Sequence, residues 1–221
     1  MRECFVFRFS LCRAVLMRIC LCGIILLGIV QAHAYNYQVR NYSVKDGLTQ
    51  NTVLSLTMDN RNLLWVGTRL GLNYFNGKEF RQVVSDAWPE FNRAVISNVY
   101  ADEAGQIWCY TSSHVYRYHF LTDSLQRMDG TYSSLWVEGN DVYATADNEL
   151  HKYDKKSGHF VTVAQFKGWG KLRAADKDKL YLVTNRSLVR YDRRSGTCDY
   201  VDYPDGEYRK ENINLLSQEG R

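Results

Sequence analysis

Short apolar or alternating runs, each closed by turn residues, dominate the chain from Val53 onward. The first four are Val53–Met58, Leu63–Gly67, Leu72–Phe75 and Glu79–Val83, and their period of two and β-branched or aromatic content predict a strand for each. Asp59-Asn60-Arg61-Asn62 and Asn76-Gly77-Lys78 between them are residues that reverse a hairpin. Together they predict one four-stranded antiparallel meander.

The meander recurs. Trp65 in the second strand is matched by Trp108, Tyr143 and Tyr181, and Phe75 in the third by Tyr118, Tyr153 and Tyr191; in every copy the two aromatics are ten residues apart. The third strands align as LNYFN, VYRYH, LHKYD and LVRYD, and the following turn is spelled Asp154-Lys155-Lys156-Ser157-Gly158 in one copy and Asp192-Arg193-Arg194-Ser195-Gly196 in the next. Copies begin 35 to 43 residues apart, the period of propeller blades and not of helical solenoids. The predicted fold is therefore all-β: four β-propeller blades, an incomplete ring, at residues 53–84, 96–128, 133–164 and 171–202. Equivalent aromatics in equivalent strands are expected to pack between blades. Gly67 and Gly71 flank the second-to-third strand turn, where a missing Cβ permits positive φ.

The flanks read differently. Arg13 and Arg18 precede the apolar run Ile19–Val30, and Ala32-His33-Ala34 supplies a small-x-small cleavage pattern, so residues 1–34 are expected to be a signal peptide, starting at Met1 or Met17. Residues 35–52, with an alternating stretch at Tyr37–Val44, are expected to supply the outermost strand of a closing blade. At the other end, residues 203–221 read as a linker and the opening of a fifth repeat, Ile213–Ser217, as in the amino-terminal part of a longer protein.

Charge and cysteine narrow the function classes. Of 28 Lys and Arg and 24 Asp and Glu, four basic and one acidic residue lie in the leader, leaving a nearly neutral body of 24 and 23. That balance gives no electrostatic reason to expect nucleic acid. Four of six cysteines also lie in the leader; Cys109 and Cys198 remain, in different repeats, and read best as small buried hydrophobes, with a disulfide between them the alternative in an oxidising compartment.

Asp46-Gly47-Leu48, Gln50-Asn51, Leu64-Trp65-Val66-Gly67-Thr68, Gly71-Leu72-Asn73-Tyr74-Phe75, Asn76-Gly77 and Phe80 together resemble the opening of the two-component regulator propeller family. The similarity covers roughly residues 44–202 and is strongest in the first repeat. Later copies depart from Trp-x-Gly-Thr: Trp108-Cys109-Tyr110-Thr111, Tyr143-Ala144-Thr145-Ala146 and Tyr181-Leu182-Val183-Thr184. The resemblance implies the periplasmic sensor region of a hybrid histidine kinase anchored in the inner membrane. It further implies an oligosaccharide ligand, control of polysaccharide-utilisation genes, and partners in the remaining blades and signalling domains, with a homodimer of the longer protein left open. The chain itself shows no kinase histidine motif, nucleotide box or receiver carboxylate cluster, so it is read as no enzyme.

Recognition is expected where the repeat breaks, on loops carried by a rigid scaffold. The connection after the first repeat holds Trp88 and Arg93, the one after the third holds Trp169, and the second-to-third strand turns add Arg69, His114, Asn148 and Arg186. Aromatic plates with Arg and Asn donors suit sugars, whose faces are apolar and whose rims hydrogen-bond; packing of Trp88 and Trp169 onto neighbouring blades is the competing reading. No His spacing suits a metal, no cofactor motif is present, and there is no Gly-x-Ser-x-Gly elbow. Two other classes stay open: a periplasmic propeller that binds glycan or protein without signalling, and a propeller enzyme acting on polysaccharide.

Overall fold

A computed structural model describes residues 39–203. The signal peptide, most of the 203–221 segment and Tyr37–Gln38 of the expected closing strand lie outside the described residues. Sixteen strands form four sheets, each with its strands in chain order. Blade one holds β1 (Val53–Met58), β2 (Leu64–Thr68), β3 (Gly71–Phe75) and β4 (Phe80–Gln82). Blade two holds β5 (Asn98–Ala101), β6 (Gln106–Tyr110), β7 (Val115–His119) and β8 (Ser124–Arg127). Blade three holds β9 (Ser134–Glu138), β10 (Asp141–Ala146), β11 (Glu149–Asp154) and β12 (His159–Gln165). Blade four holds β13 (Gly170–Ala175), β14 (Lys179–Thr184), β15 (Ser187–Asp192) and β16 (Cys198–Asp202). First strands stand beside one another, β1 by β5, β5 by β9 and β9 by β13, so the sheets stack face to face from a common inner edge.

Stacking explains the burial pattern. A middle strand has a blade on each side, so β2 and β6 are buried at nearly every residue, although a one-sided sheet would alternate. The recurring aromatics make the joints. Trp65 of blade one meets Tyr118 of blade two at 5.7 Å between ring centroids, and Trp108 meets Tyr153 of blade three at 4.9 Å. Tyr143 and Tyr191 share the buried cluster between blades three and four. The second-strand ring of one blade thus rests on the third-strand ring of the next. Blade one's own third-strand ring, Phe75, meets Tyr42 edge-on at 5.2 Å. Its β1 leaves Leu56 60% and Met58 59% exposed.

A second device recurs at three of the four second-strand rings. Trp65 Nε1 donates to Asp59 Oδ2 at 3.0 Å, Trp108 Nε1 to Asp102 Oδ2 at 2.9 Å, and the Tyr181 hydroxyl to Asp176 Oδ2 at 2.7 Å. The carboxylates sit in the first hairpin turns, where each also accepts turn N–H groups. Tyr143 instead lies under the cations of Lys152 and Arg193, at 5.3 and 5.6 Å. The twin turns after β11 and β15 fold alike: Asp154 accepts from Lys156 and Ser157 N–H, and Asp192 from Arg194 and Ser195 N–H. Bonds between turns tie blades together, as Arg61 Nη2 to Gly105 O at 3.3 Å, Glu103 N to Gly139 O at 3.1 Å, and Arg193 to Glu138.

These carboxylates give stability a pH dependence of known sign. Burial pushes the Asp59 carboxyl up, but bonds from Trp65, Leu63 and Arg61 outweigh it and hold the pKa below the usual value. The Tyr181 hydroxyl bond is the main reason that Asp176 is also lowered. A depressed folded pKa contributes stability that is complete above the unfolded value of about 3.9 and lost as pH falls through the folded one. Urea midpoints are therefore expected to drop below about pH 4, and Asp59→Asn should lower the neutral-pH midpoint and flatten that drop.

Two expectations are corrected. Val39–Ser43 forms no strand, and Val44–Asp46 is a 3-10 turn. The reason is local: Ser43 and Asp46 cap one another's backbone in a capping box, which folds the stretch on itself, while Tyr42 packs on Phe75 and Phe80. Of Gly67 and Gly71, only Gly71 has positive φ, +99°. Gly67 is needed for space, since a Cβ there would lie 2.8 Å from the Ile96 carbonyl oxygen.

Candidate functional site

In blades one, two and four the second-to-third strand turn is closed by the threonine that ends or follows the second strand; blade three has Ala146 at that place. Thr68, Thr111 and Thr184, each three residues after the strand aromatic, are buried. Each hydroxyl donates to the carbonyl three residues on, of Gly71, His114 or Ser187, and accepts a turn N–H. These turns then bond to the chain leaving the same blade. Gly71 N donates to Ala94 O at 2.8 Å, Tyr132 N to Ser113 O at 2.7 Å, Phe166 N to Asn148 O at 2.9 Å and Tyr203 N to Arg186 O at 3.2 Å. Turns and exit connections therefore share one rim, where the sequence placed the candidate residues.

The rim does not gather all seven. Trp88 is half-buried, and its ring face is covered by the Arg127 guanidinium at 4.1 Å. Arg127 pairs with Glu90 at 3.3 Å, and Phe91 of the same loop is buried against Tyr116 at 4.8 Å. The connection holding Trp88 is thus folded down as a clamp between blades one and two, and Trp88 offers no free plate. Arg69, Arg93 and Asn148 are exposed on the rim. His114 Nδ1 is engaged with Ser113 Oγ at 2.8 Å.

Trp169 and Arg186 come together. Trp169 is 60% exposed and lines a pocket with Lys171, Arg173, Val183, Thr184 and Asn185. Arg186 lines an adjoining pocket of about 740 Å³ with Lys167, Gly168, Asn185, Ser187, Tyr200 and Asp202. Asn185 borders both. The Lys167 ammonium lies over the Tyr200 ring at 5.6 Å, and Ser187 Oγ faces Thr184 Oγ1 at 3.3 Å. Sequence reasoning passed over Lys167, Asn185 and Tyr200; their proximity to Trp169 and Arg186 was readable from the blade pairing, because the turn 184–187 adjoins β16.

The described residues hold no group of three His, Cys, Asp or Glu that could ligate a metal. Cys109 and Cys198 are free thiols. Cys109 is buried between blades one and two, and burial pushes its pKa up, so it is an inert core residue.

The fold defines a class: four blades of a β-propeller, with the second-to-third strand turns and the exit connections gathered on one rim. Residues 47–69, the entry to blade one and its first two strands, match the model of the two-component regulator propeller. A 52-residue stretch is 38% identical to histidine kinase P4 of Formosa agariphila, covering 24% of this chain and 4% of that protein. An extracellular domain assigned to the hybrid two-component system BT3049 of B. thetaiotaomicron superposes with a TM-score of 0.59 at 19% identity, over 80% of this chain and 28% of that one. A second such domain, of BT4673, gives 0.55 at 17% over 69% and 22%. AztD of Citrobacter koseri gives 0.54 at 12% over 72% and 49%. This chain spans less than a third of either sensor domain, and at these identities the likeness to solved structures establishes the fold.

Proposed function

We propose that this chain is part of the exported, ligand-sensing propeller of a hybrid two-component sensor that responds to oligosaccharides and controls polysaccharide-utilisation genes. The observation that carries the ligand class is the blade-four rim, where an open Trp169 face stands beside Asn185 and Arg186 donors. An aromatic plate flanked by fixed donors holds a pyranose ring by its apolar face and its hydroxyl edge together. Location rests on the kind of domain it resembles: among the described residues no helix is long and apolar enough to cross a membrane, and the similar domains are extracellular. In this reading the propeller lies in the periplasm, the longer protein is held by an inner-membrane anchor, and catalysis belongs to domains beyond these blades. A glycan-array screen of the exported region tests the ligand class. Saccharide binding that Trp169→Ala weakens about tenfold, with an unchanged thermal midpoint, is the expected result. Turnover of the bound glycan would count against a pure sensor.

A further inference from the structure

We infer that the blade-four rim takes an oligosaccharide bearing anionic groups, carboxylate or sulfate, in preference to a neutral one. This rests on the reading of the region as a saccharide sensor and narrows its ligand. Four cations, Lys167, Lys171, Arg173 and Arg186, line the two adjoining pockets around Asn185, and Asp202 is the one carboxylate among the lining residues. None of the four makes an ion pair among the described residues. Some cations elsewhere do pair, as Arg61 with Asp59, Arg127 with Glu90, Lys152 with Asp141, Arg193 with Glu138 and Arg194 with Asp178; what sets these four apart is that they converge on adjoining pockets. The body as a whole is close to neutral, so four cations to one carboxylate around these two pockets is a local excess of positive charge.

Like charges around two adjoining pockets, with no ion partner among the described residues, raise the local positive potential and draw in anions, and an anionic ligand relieves their repulsion. The two guanidinium groups can each take a carboxylate or sulfate through paired N–H donors, and the lysines add point charges. Trp169, 60% exposed, supplies what a bare anion site lacks: an apolar plate for the sugar ring between its charged substituents. Charge and plate together fit an acidic saccharide better than a phosphate ion or an acidic peptide.

The test is calorimetric titration of the full 221-residue chain with four probes: tetragalacturonate, a uronate-free κ-carrageenan tetrasaccharide carrying sulfate, neutral xylotetraose and polyglutamate. At low ionic strength one or both charged saccharides should bind about tenfold or more tightly than xylotetraose, and weaken as salt is added. Which of the two binds identifies the carboxylate or the sulfate. Lys167→Ala and Arg186→Ala should each weaken that binding about tenfold, Trp169→Ala likewise, without moving the thermal midpoint. Equal or tighter binding of xylotetraose, still dependent on Trp169, would overturn the anionic assignment and leave the sensor reading in place. Polyglutamate binding as tightly as the saccharides would overturn it too, because the rim would then read charge alone. Failure of all three saccharides would sink both this inference and the saccharide reading beneath it.

Discussion

Trp65→Ala is expected to unfold the chain, or to lower its stability by about 4 kcal/mol or more, measured as a collapse of the urea midpoint followed by circular dichroism. Trp65 has no exposed surface and meets Tyr74, Tyr118 and Phe120 within 5.9 Å between centroids, so its ring is the joint between blades one and two. Truncation opens a cavity that neither sheet can close, because each is held by its own ladder. It also removes the indole donor to Asp59 and leaves a buried carboxylate short of one partner. Trp65→Phe separates the two effects in part: most of the ring stays while the donor goes with the rest of the indole, so a smaller loss of about 1–3 kcal/mol is expected. Trp169→Ala is the internal control, since a rim tryptophan with its face in solvent should change stability by no more than about 0.5 kcal/mol. Similar losses at Trp65 and Trp169 would mean that the repeated aromatics are not the joints of the array.

The blades were readable because the constraint that builds them is periodic. A ring on the second strand must reach a ring on the third strand of the next sheet, and that geometry fixes a ten-residue spacing that survives replacement of Trp by Tyr. Strand limits followed closely: β1 was expected where it lies, β2 begins at Leu64 and not Leu63, and β4 is the core Phe80–Gln82 of the expected Glu79–Val83. The carboxylates under the rings escaped notice because Asp in a hairpin turn already has a sufficient local explanation. Their spacing to the aromatic, six residues for Asp59 and Asp102 and five for Asp176, where the ring is Tyr, was the available signal.

The site was only partly legible, for a different reason. Trp88 and Trp169 look alike in sequence, as single tryptophans in irregular connections. What distinguishes them is Arg127, a residue of β8 some forty positions away whose guanidinium happens to cover one ring. No local pattern carries such a contact, and none carries the absence of an ion pair around Lys167 and Arg186. Over its described part, Val39–Val44, the expected strand does not form, because alternation was weighed without Ser43 and Asp46, whose reciprocal caps favour a turn.

Gly47→Ala should cost about 3–5 kcal/mol, the second large effect expected of this chain. Gly47 ends the 3-10 turn at φ +97°, and a Cβ there would lie 2.2 Å from the Phe80 carbonyl oxygen. That oxygen belongs to β4, which cannot retreat because Phe80 is paired with Phe75 and buried beside Leu48 and Val66. The entry segment must therefore lift. Lifting exposes Leu48 and breaks a polar plug in which Thr49 N donates to Asn73 Oδ1 at 3.1 Å and Thr49 Oγ1 meets Thr68 Oγ1 at 2.9 Å. Asn73, fully buried, would lose both Thr49 partners of its side-chain amide, while Thr68 keeps its bonds to Gly71 and Leu70. Gly77→Ala makes the comparison clean: its φ is +92°, but nothing lies within 4 Å of the added carbon, so only the left-handed backbone strain of about 1–2 kcal/mol should appear. A midpoint for Gly47→Ala no lower than that of Gly77→Ala would show that the entry segment is not seated on blade one. A clear gap would show that the Asp-Gly-Leu opening is a structural wedge fixing the first blade's outer strand, apart from any ligand the rim holds.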